Sequence, residues 1–376
     1  MLSKLVLALS SLLFIVFGSA YVSQAFGPAR GGYDALDYVR IAEAIDTGEP
    51  YDHRQFPIGY PLVLVAFRRA GFSGNMPLVV FNLICLAIGL AATFTMGRRY
   101  LGLSSLELAC LGTWIVASRV MLDLATIGQP EMAFLMTTSL AVWCLWRAAD
   151  GGEVRGTWLA AGVALSVASI SLRNVGVALI PAVLWTAVAV SREWHMLRRV
   201  LLVITVAAAL GAASVWLINF FALFRDSASP VAQPPRVVYQ GTGYVRGVLE
   251  TLDMRWEEAS EIIANVGYSA GWPADVRPAG FCLGLLFIAT ATLGIWTRRR
   301  TPAAVYLAAY FSVLSVWPFP MQRFWVPVLP LVICFAWVGC KTFAARFQWP
   351  AASRQVIVTA YCALYVAFGL FGLSLH

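Results

Sequence analysis

The sequence predicts an all-α protein that crosses a membrane many times. Of its 376 residues, 60% are hydrophobic and only 12% are charged, and the mean hydropathy is +0.75. Soluble domains have about 45–50% apolar residues and about 25% charged residues, so a soluble core could not bury this much apolar surface. The apolar residues also occur in segments of about 20, which is the length that a helix needs to cross a bilayer.

About eleven such segments follow one another along the chain, and each is predicted to form a transmembrane helix. They cover residues 4–24, 76–97, 104–121, 131–147, 157–172, 174–191, 200–222, 279–297, 302–318, 324–343 and 354–374. The first segment also fits a cleaved signal peptide, because Lys4 precedes it and small residues lie near its end. It is long for a signal peptide, and we interpret it as a retained helix.

The distribution of charge predicts the orientation of these helices. With the N-terminus in the cytoplasm, the short inner loops hold 14 of the 27 basic residues but only 4 of the 19 acidic residues. Membrane proteins concentrate Lys and Arg in their short cytoplasmic loops. We therefore expect one multi-pass domain, residues 1–376, in the plasma (inner) membrane, with two longer segments, 25–75 and 223–278, on the external or periplasmic side. The net charge of +8 then reflects topology rather than nucleic-acid binding.

Both external segments contain a predicted helix that does not cross the membrane. Residues 57–67 are apolar but too few to span, so we expect a helix in the membrane interface. In the second segment, apolar residues recur at helical spacing from Val245 to Ile263. This pattern predicts an amphipathic helix that lies on the membrane or over a cavity.

Several classes of site have no support in the sequence. The seven cysteines all fall within predicted spans, and the three histidines are scattered, so neither a disulfide framework nor a histidine-based metal motif is predicted. The chain also lacks the glycine patterns of Walker and Rossmann nucleotide sites, which argues against a nucleotide donor.

The stretch GGYDALDYVRIAEAIDTGEPYDHRQFPIGYP, residues 31–61, gathers six carboxylates directly after the first span. In a helix, Asp34, Asp37 and Tyr38 would share one face. A purely structural interpretation is that Asp34 caps this helix and Gly48 ends it. The two roles are compatible, because a capping aspartate can keep its second oxygen for chemistry.

This stretch resembles the first external loop of GT-C glycosyltransferases, in particular the protein O-mannosyltransferase and aminoarabinose transferase type. The resemblance is carried by an Asp-x-x-x-Tyr helix followed by a Pro-x-Gly-Tyr-Pro return. Three later stretches are similar to segments of the same family: IGQPEMAFLM with Glu131, SLRNVGVALIP with Arg173, and MQRFWVPVLPLV with Arg323. Asn174 stands where the second segment usually has proline.

The resemblance implies a GT-C-like bundle of about 11 transmembrane helices with external amphipathic helices. It implies an enzyme that moves a sugar from a polyprenyl-phosphate carrier to a glycan, lipid or protein acceptor on the outer face. The loop aspartate of the family matches Asp34, with Asp37 as its rival for the catalytic role. The predicted substrate-binding residues are Tyr38, Arg54, Tyr60, Glu131, Arg173 and Arg323.

The chemistry of this reaction suits these residue types. Phosphate leaves as a stable anion, so the site needs a base for the acceptor and positive charge for the leaving group. A carboxylate can be the base, and the planar guanidinium of arginine suits phosphate. No cofactor is firmly predicted, although Asp34, Asp37 and Glu131 could jointly hold a divalent cation through oxygen ligands.

Two other membrane functions were weighed against this one. A transporter would be expected to show internal repeats and broken spans at matched positions, and the sequence shows neither. An O-antigen polymerase or ligase would have its long external loop late in the chain and would lack the early Asp-x-x-x-Tyr helix.

Overall fold

The computed structural model describes residues 33–49, 56–151, 154–191, 244–265, 277–316 and 322–350, with six further residues between 353 and 366. The predicted spans 4–24 and 200–222 lie outside these ranges, as does most of 354–374. Within the described ranges every regular element is a helix, as the composition predicts.

The helices are numbered here in chain order. They are α1 Tyr33–Thr47, α2 Gly59–Arg69, α3 Met76–Arg99, α4 Ser105–Ala117, α5 Arg119–Thr126, α6 Glu131–Asp150, α7 Arg155–Leu172, α8 Leu179–Ser191, α9 Tyr244–Ala264, α10 Arg277–Thr297, α11 Pro302–Val316 and α12 Leu329–Arg346, with 3-10 helices at Asn174–Ala178 and Gln322–Phe324.

In the described part, six helical segments are long and apolar enough to cross a membrane, or seven if α4 and α5 form one bent span. Helices α3, α6, α7 and α10 confirm four of the predicted spans nearly residue for residue. The span predicted at 324–343 begins later, at Leu329, because residues 322–328 form a 3-10 helix and a turn. Pro330, in the first turn of α12, is favourable at this position, where its missing N–H would have no helical partner.

The span predicted as one helix over 104–121 is broken at Ser118. Its backbone is extended there (φ −72°, ψ 114°), and α4 and α5 meet at a bend of 59°. A break in a helix leaves backbone groups without their usual partners. The side chain of Asn265 supplies them: Nδ2 donates to the Ala117 carbonyl at 2.9 Å, and Oδ1 accepts from the Arg119 N–H at 3.1 Å. Hydropathy could not reveal this break, because its partner lies far along the chain.

Helices α10 and α12 pack at very short distance through two glycines. A Cβ atom on Gly294 would lie 1.8 Å from the Phe335 carbonyl oxygen, and one on Gly339 would lie 1.9 Å from that of Thr290. Small residues allow helix backbones in membranes to approach closely, which increases their van der Waals contact.

Helix α9 forms where the sequence predicts an amphipathic helix, and several of its polar side chains are buried together with the apolar ones. Its polar residues Arg255, Glu258 and Glu261 are buried, whereas the apolar Leu249 and Leu252 are exposed. The helix packs against α10 and α11. Its charged face turns inward because those side chains find ionic and hydrogen-bond partners inside the bundle.

Candidate functional site

The first part of the site is the packed pair of helices α1 and α2. Helix α1 buries Ala35, Tyr38, Ile41 and Ala42, which recur at helical spacing, and places Asp34 in its first turn. It is followed by Gly48, whose φ of +76° is the left-handed conformation that favours glycine after a helix.

Two other acids of the opening stretch attach α1 to α2. Glu43 pairs with Arg68 at 3.2 Å, and Asp46 pairs with Arg69 at 2.9 Å. Both pairs are partly exposed, so each contributes only about 0–1 kcal/mol. Glu43 and Asp46 therefore have a structural role. The sequence alone does not distinguish them from the other carboxylates of the opening stretch.

The Pro-x-Gly-Tyr-Pro return brings α2 against the end of α7. A Cβ atom on Gly59 would lie 2.5 Å from the Ser171 carbonyl oxygen, so only glycine allows this approach. The next residue, Tyr60, is fully buried. Its ring contacts that of Tyr38 edge-on at 5.3 Å, and Tyr38 contacts Phe56 in the same way at 5.1 Å.

The second part of the site is an ion pair between α6 and α7. Glu131 is the first residue of α6 and is fully buried, and Arg173 directly follows α7 with a side chain only 10% exposed. Arg173 Nη1 donates a hydrogen bond to Glu131 Oε1. Removing one member of a buried pair leaves an uncompensated charge and costs about 3–5 kcal/mol. The position of Glu131 at a helix N-terminus further favours its negative charge.

The third part is the turn that precedes α12, residues 322–325, here called the arginine turn. Arg323 reaches α1, where its Nη2 lies 2.5 Å from Asp34 Oδ2. The next residue, Phe324, has the guanidinium of Arg173 5.2 Å from its ring centroid and that of Arg323 at 5.4 Å. Cations are attracted to aromatic rings at such distances. Phe324 therefore holds the two arginines beside each other.

Tyr38 lies among the four charges of this site. Burial raises the pKa of its hydroxyl to about 12, an effect that the charges of Glu131 and Asp34 increase and those of Arg173 and Arg323 oppose. The hydroxyl is therefore protonated at neutral pH and can donate a hydrogen bond.

Three polar atoms of the site are buried without a hydrogen-bond partner in the part of the chain that the structure describes. They are the Tyr60 hydroxyl, Glu131 Oε2 and Arg323 Nε. Such groups are rare in proteins because each costs about 1–3 kcal/mol when left unpaired. The Tyr60 hydroxyl lies on α2, the acceptor Glu131 Oε2 on α6 and the donor Arg323 Nε on the arginine turn, so three different elements each present one such atom to the site.

The structure thus brings together six of the residues that the sequence singled out: Asp34, Tyr38, Tyr60, Glu131, Arg173 and Arg323. Asp37 does not join them, because its side chain is 40% exposed and faces Arg40 at 3.7 Å. Arg54 lies outside the described residues. In the described ranges no three Asp, Glu, His or Cys side chains are placed to hold a metal ion, so Asp34, Asp37 and Glu131 do not form such a group.

Sequence reasoning missed several residues that shape the site. Phe324 contacts both arginines, and its carbonyl accepts a hydrogen bond from the Tyr310 hydroxyl at 2.6 Å. Two carboxylates of α9, Glu258 and Glu261, contact the residues on either side of Arg323 and Phe324. The only available signal was the charge of α9, which in a sequence is indistinguishable from that of a solvated helix face.

Comparison with known proteins bears on the fold of the chain. The family described as dolichyl-phosphate-mannose-protein mannosyltransferase matches residues 57–218. The archaeal oligosaccharyltransferase AglB from Archaeoglobus fulgidus, solved with an inhibitory peptide and a dolichol-phosphate, superposes with a TM-score of 0.53 over 99% of this chain at 10% identity. The chain has the GT-C superfamily fold.

A second solved structure supports the same fold. ArnT from Cupriavidus metallidurans, bound to undecaprenyl phosphate, is 16% identical to this chain and superposes over 98% of it with a TM-score of 0.53. The chain spans 75% of ArnT but only 55% of AglB. No curated protein matches its sequence. The fold and the apolar helices make it a multi-pass membrane protein.

Proposed function

We propose that this protein is a glycosyltransferase that moves a sugar from a polyprenyl-phosphate carrier to an acceptor. The observation that carries the proposal is a pair of arginines, the buried Arg173 and the largely buried Arg323, held on one aromatic ring beside two carboxylates. The neighbours with this fold include proteins solved with dolichol-phosphate and with undecaprenyl phosphate, which supports a carrier of the same class here.

Arg323 is the better placed of the two arginines to bind the carrier phosphate. Arg173 already forms a hydrogen-bonded ion pair with Glu131, whereas the Nε of Arg323 is buried without a partner among the described residues. A guanidinium can bind one anion through Nε and another through its terminal nitrogens. Arg323 can therefore keep Asp34 on one edge and offer its remaining donors to a phosphate oxygen.

Asp34 is the proposed general base. The acceptor hydroxyl or amine would give its proton to this carboxylate as its oxygen or nitrogen forms a bond to the anomeric carbon. The bond between that carbon and the phosphate oxygen breaks, and the lipid phosphate leaves with the electron pair. Arg323 and Arg173 would stabilise the negative charge that develops on the leaving phosphate.

The remaining site residues suit recognition of a sugar. Glu131 Oε2 and the Tyr60 hydroxyl are buried polar atoms without partners in the described part, and sugar hydroxyls can donate to the first and pair with the second. The protonated Tyr38 hydroxyl adds a donor.

We also propose that the site faces the external or periplasmic side of the plasma (inner) membrane, with the N-terminus in the cytoplasm. Asp34, Glu131 and Arg173 lie at one end of the bundle, where α6 begins and α7 ends. The opposite end carries the basic residues that follow or close α3, α10 and α12, including Arg99, which pairs with Asp150 at 3.0 Å. This polarity supports the orientation deduced from the positive-inside rule.

Two experiments test the proposed activity. Deletion of the gene, followed by mass analysis of surface glycans, glycolipids and glycoproteins, should reveal one missing sugar that wild-type protein restores and an Asp34→Asn variant does not. Purified protein should then release carrier phosphate from the polyprenyl-phosphate derivative of that sugar when it is given the acceptor that lacks the sugar in the deletion strain. An unchanged set of surface glycans in the deletion strain, with no phosphate release in vitro, would reject the proposal.

A further inference from the structure

The arginine turn is a short element whose position decides where Arg323 points. Its regular part, Gln322–Phe324, has only three residues. Such 3-10 helices have poor hydrogen-bond geometry and little stability of their own. The backbone supplies one bond across the turn, from the Trp325 N–H to the Gln322 carbonyl at 2.9 Å, so the surrounding side chains must fix it.

Helix α9 contacts the turn on both sides of Arg323. The Gln322 side chain donates a hydrogen bond to Glu261 Oε2, and the Trp325 indole N–H donates to Glu258 Oε2 at 2.8 Å. The two carboxylates are three residues apart, which places them on one face of the helix. Gln322 and Trp325 are both buried. The turn therefore directs two side chains toward α9 and Arg323 toward Asp34.

The α9 side of this contact is itself anchored in the bundle. Arg255 Nη1 lies 2.6 Å from both oxygens of Glu258, and its Nε donates to the Leu314 carbonyl of α11 at 3.2 Å. Four residues beyond Glu261, Asn265 binds the break between α4 and α5. The helix that carries the two carboxylates is therefore held by contacts on both sides of them.

We propose that Glu258 and Glu261 are positioning residues that hold the arginine turn so that Arg323 can bind the carrier phosphate. Burial of carboxylates is costly unless they gain strong partners. Glu258 has Arg255 as its ionic partner, and each of the two carboxylates also accepts a hydrogen bond from a residue of the arginine turn. The inference rests on the proposed function, because it assigns these residues an effect on binding of a lipid phosphate. It also gives the second external segment, 223–278, a role in the donor site.

The test is a double-mutant cycle on the Glu261–Gln322 contact, with binding of sugar-free undecaprenyl phosphate to the purified full-length protein as its readout. Glu261→Ala and Gln322→Ala should each raise the Kd about tenfold, as expected for loss of a hydrogen bond to a charged group. The double variant should also show about a tenfold rise rather than a hundredfold one, because the same contact is lost in all three. Glu261→Gln should restore binding, since its side-chain oxygen can still accept from Gln322.

Two matched variants complete the set. Asp253→Ala removes an exposed carboxylate from the same helix and should leave the Kd unchanged. Gln322→Leu breaks the contact from the turn side with little change in volume, and it replaces Glu261→Ala if that variant fails to fold. Thermal unfolding in detergent is followed for every variant, so that a change in Kd is compared only among folded proteins.

The outcomes separate this inference from the function on which it rests. In one outcome the wild type binds undecaprenyl phosphate, Arg323→Ala abolishes this binding, and folded Glu261 and Gln322 variants keep the wild-type Kd. That result would overturn the positioning role and leave the proposed function intact. Additive effects of Glu261→Ala and Gln322→Ala on the Kd would overturn the positioning role as well, since additivity would show that the two residues do not act through their contact with each other. A wild type that does not bind undecaprenyl phosphate, or an Arg323→Ala variant that binds it normally, would overturn both.

Discussion

Asparagine at position 34 separates the two roles that this site gives to Asp34. The carboxylate lies 2.5 Å from the guanidinium of Arg323, and in the proposed reaction it also takes the acceptor proton. An amide has nearly the same shape and can still accept a hydrogen bond from Arg323, but it cannot serve as a base. Asp34→Asn should therefore leave the protein folded and abolish transfer.

The two effects differ enough in size to be measured separately. The amide still accepts a hydrogen bond from the charged guanidinium, and what is lost is the attraction within an ion pair whose two side chains are 15% and 22% exposed. This burial lies between that of exposed and fully buried pairs, so the substitution should lower the free energy of unfolding by about 1–3 kcal/mol. Loss of a general base slows a reaction by about 10²–10⁴-fold, which corresponds to about 2.7–5.5 kcal/mol in the activation barrier.

Asp37→Asn is the matched control, because it makes the same chemical change one helical turn away. Asp37 is 40% exposed and pairs with Arg40 at 3.7 Å. An exposed pair of this kind contributes about 0–1 kcal/mol, so the rate should stay within roughly fivefold of wild type. The assay is the initial rate of carrier-phosphate release by purified protein, with thermal unfolding measured on the same samples.

Two results would refute this reasoning. A fully active Asp34→Asn variant would show that Asp34 only orients Arg323 and that the acceptor proton goes elsewhere. A folded but inactive Asp37→Asn variant would move the base three residues along the helix, and the contact with Arg323 would then no longer identify the catalytic carboxylate.

Four further predictions follow from the same contacts. Arg323→Lys keeps the charge but loses the planar fork, so the KM for the carrier should rise roughly tenfold at normal protein abundance. An unchanged KM would show that Arg323 has only a structural role. Gly339→Ala forces α10 and α12 apart and should cost about 1–3 kcal/mol of stability, whereas Gly156→Ala, which meets open space, should cost none. Cysteines at Glu49 and Gly241 should react with a membrane-impermeant reagent in intact cells, with the parent chain as control; labelling only after lysis would invert the topology. Glu49 is chosen because its neighbour Gly48 has a positive φ that disfavours cysteine. Activity should survive chelation of divalent cations, because Asp34 and Glu131 are already neutralised by arginines; loss of activity that Mg²⁺ or Mn²⁺ restores would show a metal requirement.

Local patterns predicted much of this protein because they report local physics. Hydropathy located α3, α6, α7 and α10 because burial in a bilayer depends on the side chains of one continuous segment. Asp34, Tyr38 and Tyr60 could be grouped for a related reason: they lie close together in the chain, and a short helix followed by a glycine-containing return brings them together.

Long-range partners could not be predicted in this way. The break at Ser118 occurs inside an apolar run, and it is satisfied by Asn265, which lies 148 residues beyond Ala117. The sequence left open whether α9 lies on the membrane or over a cavity, because a buried and a solvated carboxylate look identical in a sequence. Only its contacts with Gln322 and Trp325 distinguish the two.

By itself the sequence determined that the helices lie in a membrane and which residue types are available for phosphate chemistry, and it predicted the orientation of the helices. Tertiary structure decided which of those residues meet. It placed Arg323 on Asp34 rather than Asp37, paired Glu131 with Arg173, and set both arginines against Phe324. The physical reason is that hydropathy acts on each segment separately, whereas an ion pair or a hydrogen bond requires two specific atoms within about 3 Å, and only the packing of the whole bundle brings them there.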